Sequence, residues 1–386
     1  MKRIRALIVA AILLLGSVPA WAEQEAAQIT LSARLKVIGE EAFMGIPNVS
    51  EVKVPARVTT IGDRAFKDMS ALAKIEIPRS VKSIGSGILD GAMDAVLVDC
   101  APDSAAMTYA LANNLDFDAD TTCRALLIGN TYADTENSLE GPDYDVYGLE
   151  ATLNQLSGRS FQVTKGINVT AARMGELIDE AFAGAKDQDI SLFYYSGHGS
   201  ESGDLISNDI MLISPEVLRD KLDTIPGRKI LLIDACYSGN FIKDDAVSNN
   251  GALSPEAGLN GFQSAFLAAF EPKADRNSAF NPSDYFVMTA ARYDQPSISL
   301  IYTSGKAMGI FTWKLCEGLG YNYYSNKSCA MSADVDGDAA VSMQEAAVYV
   351  YDNVEAFYES VGWNMEDMQL VQVYPENCLW FAPFRQ

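Results

Sequence analysis

His198 and Cys236 are the residues of this sequence best suited to nucleophilic chemistry. His198 is the only histidine in 386 residues and lies in Ser196-Gly197-His198-Gly199, while Cys236 lies in Asp234-Ala235-Cys236-Tyr237-Ser238-Gly239. A thiol with an ordinary pKa near ~8.5 is mostly protonated at neutral pH, and a nearby imidazole both raises its thiolate fraction and can protonate a leaving amine. The N–H groups of Gly199 and Cys236 are placed to hold a tetrahedral oxyanion, and the flanking glycines would let a substrate backbone come close. Taken singly, a cysteine after a strand reads as a small buried hydrophobe and a histidine as a hydrogen-bonding partner; the pair is what carries chemistry. The solitary imidazole also excludes a multi-histidine zinc site, an H-E-x-x-H helix and a bis-histidine haem. Ser196-Gly197-His198-Gly199 fits neither phosphate-binding glycine pattern.

Both motifs follow short, continuously apolar runs. Arg124 to Ile128, Ile190 to Tyr195, Lys229 to Ile233 and Tyr285 to Thr289 read as strands covered on both faces. Between them, Met174, Leu177, Ile178, Ala181 and Phe182 mark one face of a helix that Thr170 caps, and Val146, Leu149, Leu153 and Leu156 mark an earlier one. Strands alternating with helices predict an α/β fold, a mostly parallel sheet with helices on both faces, whose ligands bind at the carboxyl ends of the strands. If the second and third strands are neighbours, His198 and Cys236 meet at that edge.

Four segments in order, Leu126-Leu127-Ile128-Gly129-Asn130, Leu139-Glu140-Gly141-Pro142-Asp143-Tyr144-Asp145-Val146, Tyr194 to Gly199 and Leu232 to Gly239, resemble the signatures of caspase-like cysteine peptidases, nearest to bacterial metacaspase-like proteins. The resemblance covers about Arg124 to Gln386. It implies a caspase-hemoglobinase fold and an endopeptidase acting on polypeptides, with His198 and Cys236 at the catalytic positions. Asp145 and Ser196 match pocket-lining positions of metacaspases, and Asp234 stands two residues before the nucleophile. Two carboxylates favour the fork of Arg or the ammonium of Lys as the recognised side chain. Asp145 is also expected in the first turn of its helix, where the dipole helps keep it ionised; the bland alternatives are that Asp234 orients the cysteine loop and that Asp145 caps the helix. The other class of function is a catalytically silent caspase-like scaffold in a surface-binding protein; retention of both Cys236 and His198 favours the enzyme.

Asp334, Asp336, Asp338 and Glu345 stand at positions 1, 3, 5 and 12 of a loop spanning 334–345, with the Ala340 carbonyl and Ser342 between them, a spacing that suits Ca2+. The loop resembles an EF-hand, with Met308 to Leu319 expected as the entering helix and Gln344 to Phe357 as the exiting one. Ala339 occupies the position where glycine is expected, and the alternative is an acidic capping loop without metal. Asn240 to Ser283 has no strand pattern and reads as a functional lid or a disordered segment. Lys243, Lys273 and Arg276 within it are candidate self-cleavage sites.

Residues 1–22 read as a signal peptide: Lys2, Arg3 and Arg5 precede an apolar run of 13 from Ala6 to Val18, and Ala20-Trp21-Ala22 offers the small residues of a cleavage site. The run falls short of the ~18 residues of a spanning helix, so the expected chain is exported (secreted, periplasmic or at the cell surface) and has no membrane span after cleavage. In residues 23–120 a period of 23 recurs as Ile38-Gly39, Ile61-Gly62 and Ile84-Gly85. Alternating Val52 and Val54, Ile75 and Ile77, Val96 and Val98 predict one strand per unit, and the Ile-Gly and Ala-Phe pairs the turn and core. These residues resemble the leucine-rich repeats of bacterial surface proteins, with Ser104 to Phe117 as their tail. The resemblance implies a protein or cell-surface partner, and the plainer reading is a segment that rigidifies its neighbour. The remaining residues, 121–386, form the peptidase-like domain. A formal net charge of -22 disfavours a nucleic-acid role, since phosphate binding draws on clustered Lys and Arg. Six sparse cysteines exclude a disulfide scaffold, although Cys316 and Cys329 are close enough in sequence to bridge a turn.

Overall fold

A computed structural model describes residues 27–92, 96–102, 104–242, 285–301, 306–374, 378 and 380–386. Contacts divide the chain into two compact units, Met1–Asp120 and Thr121–Gln386. The expected signal peptide and the candidate cleavage sites Lys243, Lys273 and Arg276 lie outside the described residues.

The first unit is a stack of coils carrying strands β1 (Ala27–Thr30), β2 (Val37–Ile38), β3 (Val49–Lys53), β4 (Thr60–Ile61), β5 (Lys74–Ile77), β6 (Ser83–Ile84) and β7 (Leu97–Cys100). Helix α1 (Ala105–Ala112) and strand β8 (Asp116–Asp118) complete it. Its main sheet is parallel in the order β1-β3-β5-β7-β8. The repeat period appears there as register: Val52, Ile75, Val98 and Phe117 stand side by side, each almost wholly buried. The Ile-Gly pairs, expected at turns, instead build a second ladder, β2-β4-β6, in which Ile38, Ile61 and Ile84 align. Glycine is required after two of these isoleucines: a Cβ on Gly62 would meet the Glu40 backbone nitrogen at 2.6 Å and one on Gly85 the Asp63 backbone nitrogen at 2.4 Å, whereas Gly39 has open space. The tail folds as α1, capped by the Ser104 hydroxyl, and β8 extends the main sheet.

The second unit runs β9 (Cys123–Gly129), α2 (Pro142–Gln155), β10 (Phe161–Ile167), α3 (Ala171–Ala181), β11 (Ile190–Ser196), β12 (Leu205–Ile206), β13 (Leu212–Ile213), α4 (Pro215–Leu222) and β14 (Arg228–Asp234). After the segment 243–284 it continues with β15 (Tyr285–Thr289), β16 (Ser299–Ile301), β17 (Ala307–Gly309), α5 (Ile310–Gly318), β18 (Tyr321–Asn322), β19 (Lys327–Ser328), β20 (Ala340–Val341), α6 (Met343–Val361), β21 (Gln372–Tyr374) and β22 (Phe384–Arg385). The central sheet has the order β10-β9-β11-β14-β15-β21, parallel except for β21 at one edge.

Every residue of β11 and β14 is buried, as their unbroken apolar runs require. Alternate side chains feed two cores. Leu192, Tyr194, Ile230 and Leu232 pack with α2, α5 and α6, whereas Phe193, Tyr195, Leu231 and Ile233 pack with α3 and α4. Each such aliphatic side chain contributes roughly 1.5–3 kcal/mol, which fixes the strand ends that carry the site. Helix α3 starts where expected, with the Thr170 hydroxyl accepting from the Arg173 N–H. No described helix is long and apolar enough to cross a membrane. Cys316 is buried and Cys329 exposed, and the disulfide considered between them is not formed.

Candidate active site

Strands β11 and β14 are parallel neighbours in a register that sets Ser196 opposite Asp234, so the turns carrying His198 and Cys236 leave the sheet side by side. The approach of the two turns is tight: a Cβ on Gly199 would meet the Cys236 carbonyl oxygen at 2.1 Å. Gly197 and Gly239 are equally hemmed in, by the Tyr195 hydroxyl and the Tyr293 backbone nitrogen. These glycines therefore serve the packing of loop on loop, where sequence reasoning assigned them to substrate approach.

His198 is held by two contacts to its ring and one to its backbone. Its Nε2 lies 2.8 Å from the Asn137 carbonyl oxygen, its ring stacks on Tyr132 at a centroid distance of 4.7 Å, and its backbone N–H donates to the Tyr132 hydroxyl at 3.0 Å. A carbonyl only accepts, so Nε2 carries the hydrogen and Nδ1 keeps a lone pair free to act as base. Tyr132 is buried, at φ +50, and shares the Ile206 carbonyl with the Tyr195 hydroxyl.

Cys236 is half-buried, and its Sγ approaches the Ser297 carbonyl oxygen at 3.8 Å. Burial pushes the thiol above its usual range, and the Asp234 carboxylate adds to the rise. A base is therefore needed for attack. Tyr237, next in the chain, takes φ +57 and donates its N–H to the Gln295 carbonyl, which fixes the turn behind the nucleophile. A bridge from Gly199 to Leu205 uses the Ser200 and Ile206 N–H groups and leaves the Gly199 N–H out of the pairing. The two N–H groups named for the oxyanion thus belong to adjacent turns.

Asp145, Ser196 and Asp234 come together beneath these turns, all nearly inaccessible. Asp145 accepts from the Ser196 hydroxyl at 2.7 Å and from the Gly309 N–H at 2.9 Å. Asp234 accepts from the Ser297 hydroxyl at 2.7 Å and from the Thr312 hydroxyl at 2.7 Å, and Thr312 in turn meets the Tyr194 hydroxyl at 2.7 Å. No basic side chain among the described residues pairs with either acid; every partner is neutral. Burial pushes both carboxyl groups upward, and for Asp145 the Asp234 charge pushes further. Asp145 sits in the first turn of α2, as expected, where the helix dipole favours its charge while burial and the Asp234 carboxylate push the other way. Sequence reasoning missed Asn137, Tyr132, Ser297, Gly309 and Thr312. Asn137 acts through a carbonyl that any residue has, and the others lie outside the recognised segments.

In the acidic loop, Asp334, Asp336 and Asp338 each offer an oxygen within 4.8 Å of the others. Glu345 stands apart from that group, accepting from the Ser342 and Val335 N–H groups as part of the capping box of α6. Ala340 spends its N–H on Asp338, and the register with β22 leaves its carbonyl outside the ladder. Ala339 does take the left-handed turn, at φ +63, a conformation that costs a residue with a Cβ more than glycine. The exiting helix is present as α6. The helix expected over Met308 to Leu319 is present as α5, but the β18–β19 hairpin separates it from Asp334, so it does not lead directly into the loop.

A caspase-domain family model matches residues 122–340, more than half of the chain. A BspA type leucine rich repeat model matches residues 19–94 in six copies. Metacaspase-6 of Arabidopsis thaliana is 28% identical over 144 residues, covering 31% of this chain and 39% of the plant protein. Metacaspase-1 of Schizosaccharomyces pombe is 26% identical over 173 residues, covering 36% of this chain and 41% of the yeast protein. The chain thus spans about two fifths of the length of these curated relatives. The solved structure of caspase-1 from Spodoptera frugiperda is 16% identical with a TM-score of 0.42, covering 66% of this chain and 87% of that one.

Proposed function

The chain belongs to the caspase-domain family, and from that membership we propose that it is a cysteine endopeptidase that hydrolyses peptide bonds after Arg or Lys. His198 Nδ1 takes the Cys236 proton, the thiolate attacks the carbonyl carbon, and the Gly199 and Cys236 N–H groups carry the oxyanion. The imidazolium then returns its proton to the leaving amine, and water hydrolyses the thioester. One observation carries the specificity: Asp145 and Asp234 are buried together with neutral partners only, an arrangement that a cationic side chain relieves and an acidic one worsens. A fluorogenic peptide panel tests it. Turnover after Arg or Lys, lost in Cys236→Ala and in His198→Ala, is expected; turnover after Asp with none after Arg or Lys would overturn the pocket assignment. A wild-type chain inactive on every substrate would favour the silent scaffold.

The same proposal includes a structural Ca2+ in the loop 334–345, held by Asp334, Asp336, Asp338 and the Ala340 carbonyl. It is supported by the Asp338 Oδ2 atom, which is buried without a hydrogen-bond partner. Glu345 joins the ion only by leaving its cap. Export by the N-terminal segment, self-cleavage at Lys243, Lys273 or Arg276, and a protein partner for the repeats complete the reading. Mass spectrometry of wild type and Cys236→Ala tests the self-cleavage: a cut present in both would remove it.

A further inference from the structure

We propose that Tyr132 is a positioning residue that stabilises the protonated form of His198 by holding the imidazole against an aromatic face, an inference that rests on the Cys236–His198 dyad reading above. Proton transfer turns a neutral pair into a thiolate and an imidazolium. The S–H bond breaks, an N–H bond forms at the Nδ1 lone pair, and no other reactant takes part. The new charge falls on a ring that is partly buried. In a Ser-His-Asp arrangement a carboxylate meets that charge. Among the described residues no carboxylate hydrogen-bonds to His198, whose Nε2 meets only the Asn137 carbonyl.

The face of the imidazole lies instead on Tyr132, with ring centroids 4.7 Å apart and an interplanar angle of 30°. A cation within ~6 Å of a tyrosine centroid and over its face is attracted by the negative side of the ring quadrupole. Neutral imidazole gains little from the same contact, so the face favours the ion pair over the uncharged pair. Tyr132 is also fastened where it is needed. Its hydroxyl donates to the Ile206 carbonyl at 2.6 Å and accepts from the His198 N–H at 3.0 Å, so one side chain serves both ring and backbone of the histidine. Its own backbone, at φ +50, is one that an aromatic residue rarely adopts. The surrounding loop imposes it: the Tyr132 carbonyl accepts from the Thr135 N–H at 3.2 Å and hydroxyl at 2.7 Å, and the Thr131 carbonyl accepts from the Leu139 N–H at 2.8 Å. Asn137 belongs to the same loop, which thus delivers both the aromatic face and the carbonyl on Nε2. An unfavourable backbone kept beside a reactive group points to function.

The nucleophile depends on this support. Burial, and after it the Asp234 charge, push the Cys236 thiol up, so its thiolate share at neutral pH follows how well the imidazolium is accommodated. The titratable groups around the pair are Asp234 beside the thiol and the phenols of Tyr132 and Tyr195 beside the His198 turn. Burial pushes both phenols up, which keeps them neutral. Tyr132 is itself buried and out of reach of a substrate. Loss of its face should therefore lower kcat and leave KM unchanged.

Alkylation by iodoacetamide, in which the thiolate displaces iodide, reads the pair without a substrate. It is followed on the full chain at the peptide carrying Cys236, because Cys329 is exposed as well. Tyr132→Phe keeps the aromatic face and should react within about twofold of wild type at neutral pH, whereas Tyr132→Leu should be about tenfold slower. A ring-trifluorinated phenylalanine at the same position keeps the shape and drains the face of negative charge, and should be about fivefold slower than Tyr132→Phe. The peptide kcat should follow the same order at constant KM. With rising pH, where the thiolate forms without the imidazole, the alkylation rates should converge, as they would not if the cysteine loop were disturbed. Equal rates for phenylalanine and its fluorinated form, or a Tyr132→Phe as slow as Tyr132→Leu, overturn the assignment and leave the dyad standing so long as His198→Ala is slow. The fluorinated comparison decides by itself if Tyr132→Leu does not fold. His198→Ala alkylated as fast as wild type overturns the dyad and this inference together.

Discussion

At the scale of single residues, the pair Asp145 and Asp234 decides most of what this site can do. Two carboxyl groups pushed upward by burial, Asp145 also by the Asp234 charge, bind a cation only in the deprotonated form. Turnover of Arg substrates should accordingly rise with pH as these acids lose their protons, in addition to the rise contributed by the thiol. Asp234→Asn should flatten the acid part of that profile and lower kcat/KM for Arg and Lys substrates by at least about a hundredfold, since a lost buried charge pair costs roughly 3 kcal/mol or more. The stability effect has the opposite sign. An acid whose folded pKa is raised stabilises the fold below its unfolded pKa and loses that contribution as pH rises through the folded pKa. Removing the charge should leave the melting temperature at neutral pH unchanged or higher. A large fall in melting temperature, or an unchanged kcat/KM, would contradict this account. The juxtaposition of His198 with Cys236 was legible in the sequence, as were Asp145 and Asp234, because each is a distinctive side chain at the end of a strand or the start of a helix. Thr312 and Ser297 were not, standing 78 and 63 residues from the acid they serve, in segments with no motif.

Among the elements, the strands and long helices announced themselves by period, and the short pairs did not. Strands β9, β11, β14 and β15 followed from unbroken apolar runs, and α2 and α3 from a helical stripe. The β16–β17 hairpin has three residues on each side, too few to display alternation, yet it delivers Gly309 to the pocket. That delivery is sterically exact in its demand for glycine: a Cβ on Gly309 would meet Asp234 Oδ2 at 2.1 Å, although its φ of -59° suits any residue. Gly309→Ala should therefore fold, with a loss of about 1–3 kcal/mol from overpacking, and lose turnover after Arg by displacing the acid. Its Cys236 should still react with iodoacetamide. Gly199→Ala presses on the Cys236 carbonyl instead, so there both turnover and thiol alkylation should fall. Equal alkylation rates in the two variants would show that the two glycines do not guard separate halves of the site.

For the molecule as a whole, the division at Asp120 and Thr121 means that two hydrophobic cores can melt separately. The repeat unit owes its stability to stacking of like coils, and the caspase-domain unit to the two-faced sheet. Only the second contains the acidic loop. An ion that binds the folded loop and not the unfolded chain stabilises by about 2.7 kcal/mol when present at a hundred times its Kd. For a unit of this size each kcal/mol is worth roughly 2–4 °C, so the shift is easily resolved. Scanning calorimetry of the whole chain should thus give two transitions, of which millimolar Ca2+ raises one and chelator lowers the same one. Asp336→Asn, on the exposed side of the loop, should abolish that shift without moving the other transition. A thermogram unaffected by Ca2+ and chelator would leave the three aspartates as a capping turn for α6. A shift shared by both transitions would instead place the ion elsewhere. Because Ala339 must hold the left-handed turn that glycine makes freely, the affinity should increase in Ala339→Gly, a gain no capping role predicts.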